Sequence, residues 1–138
     1  MITDFFLAPV EDAVALCTDF DRLPDHAANN LDNAALAALW SAMDASGQHV
    51  SLEGEDHMVA MASPEGPWVF DLPDAMTFLL VDLGESERRI VADRWAQSEE
   101  LSFYKLSGAE LIEPIKTLQD LASAAHARGH RLLLRMAM

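Results

Sequence analysis

A chain of 138 residues has the usual length of one domain, and 51% hydrophobic content is globular rather than disordered composition. A formal net charge of −14 disfavours direct contact with nucleic-acid phosphates or anionic membrane surfaces. The single cysteine, Cys17, excludes an intrachain disulfide and fits a reducing compartment.

Residues 2–7 (ITDFFL) are rich in β-formers and predict a strand buried on both faces. Pro9, with Glu11 and Asp12 behind it, opens a short helix. Residues 19–31 are polar, with Pro24 and a double Asn, and read as a loop. Asp32 is a good N-cap for a helix in which Leu36, Leu39, Trp40 and Met43 form one buried stripe, with Gly47 as its stop. A three-stranded meander is expected next. Its strands are 49–52, 57–62 and 68–70, joined by turns at 53–56 and 63–67.

Asp71 and Pro73 announce a helix over 74–83, apolar nearly all round and so expected to be central and enclosed. Ser86 is the expected cap of a helix reaching to about Leu101, with Val91, Ala92, Trp95 and Ser98 on one face. Ser107 to Glu110 form a capping-box pattern ahead of a helix whose stripe is Leu111, Ile115, Leu118, Ala122 and Ala125. Pro114 predicts a kink or a restart with Glu113 near the cap, and Gly129 a left-handed stop. The chain closes on a strand with Leu132, Leu134, Met136 and Met138 on one face and Arg131, Leu133 and Arg135 on the other. The expected fold is a single α+β domain. A mixed or antiparallel sheet, built from the N-terminal strand, the central meander and the C-terminal strand, packs with about five helices.

The charge is unevenly spread. Residues 1–87 hold 17 acids and one base, Arg22, whereas residues 88–138 hold 6 acids and 8 bases. The first reading of this asymmetry is solubility, and the second is a surface that attracts a basic partner.

Motifs with defined chemistry are few. P-loop, Rossmann, CxxC and Gly-x-Ser-x-Gly patterns do not occur. His126 and His130 are four apart, but Gly129 interrupts the helix between them, so dipole capping accounts for His126 better than metal ligation. His49 and His57 flank the 53–56 turn near Asp56, either as surface residues or as a small metal or proton site. Glu99 falls about 40° from Trp95 on a helical wheel, on the apolar side. It reads as half of a structural ion pair or as an acid in a pocket, with Arg88 of the same face, or Arg131 or Arg135 of the C-terminal strand, as the arginine partner. Cys17, among Val14, Leu16 and Phe20, reads as a buried hydrophobe. No cofactor or metal is expected.

The run Trp95 to Leu101 resembles small acidic bacterial proteins of the domain-of-unknown-function type. So does the ending Leu118-x-x-Leu121-Ala122-x-x-Ala125-x-x-x-Gly129 before Leu132 to Leu134, and so does the opening Met-Ile-Thr-Asp-Phe-Phe. The resemblance covers about a third of the chain. It implies a bacterial cytoplasmic α+β protein and transfers no site residue.

Three functional readings follow. The first is a non-enzymatic, immunity- or antitoxin-like interaction module that meets a basic protein through Asp19, Asp21, Asp25, Glu53, Glu55 and Asp56. The second is a small enzyme or ligand-binding protein with a pocket near Trp95, Glu99, Arg131 and Arg135. The third is a self-associating structural protein, and the chain is expected as a monomer or a homodimer. No secretory n-region precedes Asp4, and apolar runs such as Phe78 to Val81 are far too short to span a bilayer. A cytoplasmic location is expected, with neither nucleic acid nor membrane as partner.

Overall fold

The computed structural model describes residues 2–29, 31–44, 52 and 57–138. Among the described residues, five antiparallel strands form one sheet in the order β2-β1-β5-β4-β3. They are β1 (Ile2–Ala8), β2 (His26–Asn29), β3 (Met58–Met61), β4 (Trp68–Asp71) and β5 (Arg131–Ala137). The helices are α1 (Ala13–Leu16), reached through a 3-10 turn at Val10–Asp12, then α2 (Asn33–Met43), α3 (Asp74–Asp82), α4 (Glu85–Ala96), α5 (Glu99–Ser102) and α6 (Gly108–Arg128). The fold is α+β.

The central pair β1–β5 explains the architecture. Both strands are buried on both faces, so alternate residues feed two cores. Phe5, Leu7, Leu132, Leu134 and Met136 enter the main core under α2 to α6. Phe6, Ala8 and Leu133 join Val69, Ala13, Leu16 and Cys17 in a thinner second core under α1. Each of the fully buried aliphatic or aromatic side chains contributes about 1.5–3 kcal/mol through burial.

Local signals place the helix ends. Asp32 Oδ1 accepts from the Ala35 N–H at 2.8 Å and starts α2. Ser107 Oγ accepts from the Glu110 N–H and starts α6. Gly129, at φ +66°, ends α6, and the His130 N–H closes onto the Ala125 carbonyl at 2.9 Å. The α6 stripe Leu111, Ile115, Leu118, Ala122 and Ala125 is buried throughout. Gly108 lets α6 approach α4 closely, because a Cβ there would force the Asp93 side chain to move aside. Gln119 fastens α3 to α6 by donating to the Leu80 and Leu83 carbonyls at 2.8 and 3.1 Å.

Several expectations are corrected. Residues 19–31 are not all loop, because His26–Asn29 pairs with β1 as an edge strand. The Asp25 carboxylate extends that pairing by accepting from the Leu7 N–H at 2.7 Å. The segment 74–83 is not the enclosed helix: α3 buries Met76, Thr77 and Leu80 but leaves Phe78 and Val81 exposed. Enclosure belongs instead to α2, where Ala35, Ala37 and Ala42 are buried along with the expected stripe. The helix expected from Ser86 to Leu101 begins after Gly84, whose N–H donates to Glu87 Oε1, and stops at Ala96. Ser98 holds the N-cap position of the separate turn α5, but its Oγ donates to the Trp95 carbonyl at 2.6 Å and caps nothing in α5. Pro114 neither ends nor restarts a helix, since α6 runs through it without a break. It withholds the N–H that would donate to the Glu110 carbonyl. The buried stripe on both sides outweighs that loss. Of the meander, β3 and β4 are described; Gly47 and the strand expected at 49–52, Leu52 apart, lie outside the described residues.

Candidate functional site

The residues singled out from sequence do not converge. Trp95 is wholly buried in the main core, and its Nε1–H donates to the Ala35 carbonyl at 2.9 Å. Glu99 is exposed, because the break at Gln97 and Ser98 takes it off the wheel that placed it beside Trp95. Among the described residues its carboxylate forms no ion pair.

The arginines lie elsewhere. Arg131 Nε binds Asp71 Oδ1 at 2.9 Å, Nη1 binds Asp74 Oδ1 at 2.6 Å, and Nη2 reaches the Leu72 carbonyl at 3.2 Å. Burial works against its charge, but the hydrogen bonds and attraction of Asp71 and Asp74 prevail and push its pKa up. Arg135 sits on the opposite sheet face from Trp95, in the second core. Nη2 binds Asp4 Oδ2 at 2.9 Å, directly across the β1–β5 ladder, and Nη1 binds the Leu16 and Asp19 carbonyls. Its guanidinium lies 4.8 Å from the Phe6 ring centre and 5.0 Å from that of Phe20. The C-terminal arginines therefore neutralise acids of the N-terminal part within one chain. The pocket expected around Trp95, Glu99, Arg131 and Arg135 is not formed.

Of the interaction candidates, Glu53, Glu55 and Asp56 lie outside the described residues, as does His49. Asp19 and Asp21 are exposed, and Asp19 Oδ1 accepts from the Asp21 N–H. Asp25 holds the sheet edge as described above. His57 packs edge-on against Trp40 at 6.4 Å. His126 shares a 3.0 Å hydrogen bond with Thr77 Oγ1, and the Gly129 turn carries His130 off the helix axis. Cys17 is buried, and burial pushes its thiol up from 9.0 against the opposing pull of Arg135, so it stays a neutral apolar filler.

Among the described residues, a concavity lies where no motif pointed. An apolar cavity of about 430 Å³ opens between the edge strand β2, the α5–α6 connection and the first half of α6. His26 and Ala28 come from β2, Tyr104 and Leu106 from the connection, and Pro114 and Thr117 from α6. The floor is the buried pair Leu111 and Leu118. Exposed Phe103, Tyr104 and Leu106 continue the apolar surface at its mouth, with Phe103 edge-on to Tyr104 at 5.8 Å. Polar groups at the walls are few: the His26 imidazole, the Tyr104 hydroxyl, Thr117, and Glu113, which pairs with Lys116 at 3.7 Å.

A signal for this site existed in the unassigned run Phe103-Tyr104-Lys105-Leu106. Two aromatics and a leucine in a connection, outside any periodic stripe, mark an exposed apolar patch. His26 carried no such signal, because its strand has little β propensity. No known protein family matches the chain, and neither a curated protein nor a solved structure does. Among the described residues, no helix is long and apolar enough to cross a membrane.

Proposed function

We propose that this protein binds a small, predominantly apolar ligand in the cavity between β2 and α6. The observation that carries the reading is the cavity itself. Its volume of about 430 Å³ falls in the roughly 300–1,000 Å³ range of ligand pockets, with apolar walls and a few polar groups to orient a guest. Walls drawn from a strand, a connection and a long helix keep such a space open, because the helix and sheet are each held by the main core. Titration with a neutral fluorescent naphthylamine is expected to give saturable binding to the wild type. Ala28→Phe should fill the cavity and weaken that binding by about tenfold or more while leaving the urea midpoint unchanged or raised. Absence of saturable binding to the wild type would refute the reading.

A second reading, the acidic module that meets a basic protein as immunity and antitoxin proteins do, is supported by a different surface. Val14, Phe20 and Leu23 are 72%, 60% and 87% exposed among the acids Glu11, Asp19 and Asp21. Apolar side chains between carboxylates suit a basic amphipathic surface. Retention of a Lys- and Leu-rich helical peptide that weakens with salt is expected for the wild type and not for a Val14→Ser, Leu23→Ser variant. Equal retention by both proteins removes this reading.

A further inference from the structure

The apolar cavity has a smaller, more polar neighbour of about 310 Å³, and His26 and Thr117 line both. The second space runs along the later half of α6, with Asp25, Asp120 and Arg128 among its walls. Resting on the ligand-binding reading above, we propose that the two spaces accept one elongated amphipathic molecule with a cationic amine head. Its apolar body fills the larger cavity. Its amine passes Thr117 and lies between Asp25 and Asp120.

The order of groups along α6 decides the sign of the head. Asp120 follows Thr117 by less than one helical turn, about 4.5 Å of rise, so it is the first charge met beyond the shared wall. Arg128 lies eight residues further, about 12 Å along the axis, and it forms no ion pair with Asp120 among the described residues. Among the described residues the Asp120 carboxylate makes no hydrogen bond or ion pair, and Arg128 makes none either. Asp25, from the far wall, is anchored by the Leu7 N–H, which leaves its charge in place and fixes its position. Near the junction there are thus two carboxylates, with the His26 imidazole as the other polar ring and Arg128 further along α6. The overall charge of −14 adds a long-range field of the same sign, which draws in a cation and repels a fatty carboxylate.

The test is displacement of the neutral naphthylamine probe from the full chain by decylamine, decanol and decanoate, each below its aggregation concentration. Decylamine is expected to bind about fivefold more tightly than decanol at low salt, and decanoate more weakly than both. The amine preference should shrink as salt is raised. Asp120→Asn should bring decylamine to near parity with decanol while decanol itself is unmoved, and Arg128→Gln should leave decylamine as tight or tighter. Equal affinities for the three ligands, or a preference for decanoate that Arg128→Gln abolishes, overturn the cationic head but leave the cavity reading standing. Failure of the naphthylamine to bind overturns the cavity reading and this proposal together.

Discussion

Arg135→Met is expected to lower the unfolding free energy by about 3–5 kcal/mol in urea titration, the cost of breaking a buried charge pair from one side. Arg135 is 4% exposed and Asp4 is 9% exposed. Methionine replaces the stem of the arginine but leaves the Asp4 carboxylate without its partner, and the Leu16 and Asp19 carbonyls lose their donor. Arg135→Lys should not restore stability, because a compact ammonium lacks the planar fork whose two nitrogens serve Asp4 on one side and the Leu16 and Asp19 carbonyls on the other. Adding Asp4→Leu to Arg135→Met should recover part of the loss, since an apolar pair removes the uncompensated charge. Recovery stays partial because the two carbonyls remain unpaired. For a domain whose total stability is about 5–15 kcal/mol, the single variant is close to the limit of folding at ordinary temperature. A loss under about 1 kcal/mol would mean that water reaches Asp4.

Trp95→Ala is expected to cost about 3–5 kcal/mol by the same measurement, from lost burial and an unfilled cavity. Trp95 is among the largest side chains with no exposure, and it ties α4 to the first turn of α2 through the Ala35 carbonyl. Trp95→Phe is milder. It keeps a six-membered ring in the core but removes the indole N–H together with part of the ring volume, so about 1–3 kcal/mol is expected. Neither substitution should alter naphthylamine affinity in protein that remains folded, because Trp95 does not line the β2–α6 cavity. Loss of probe binding without loss of stability would place the ligand elsewhere. Glu99 offers a contrast: it is exposed at the start of α5, so Glu99→Gln belongs with neutral surface changes.

Sequence alone determined the parts of this protein whose physics is local. Continuous β-forming residues made β1 and β5 strands with two buried faces. Alternation assigned Leu132, Leu134 and Met136 to one face and Leu133 and Arg135 to the other. Asp32, Ser107 and Gly129 placed helix ends, because a cap is satisfied by atoms within four residues. Tertiary structure decided what depends on distant chain segments. β2 exists because β1 offers it a ladder and Asp25 extends the pairing, although His-Ala-Ala-Asn has no strand pattern of its own. Glu99 left the core side when Ser98 began a new turn, which no wheel drawn through one helix anticipates. Arg135 found Asp4 131 residues away in sequence, across a register that only the closed sheet defines. The acidity followed the same division. Its uneven distribution is written in the chain, but Asp4, Asp71 and Asp74 are neutralised by arginines of the last strand. Which acids remain free is therefore a property of the folded surface, because ion pairing depends on distance in space rather than on distance along the chain.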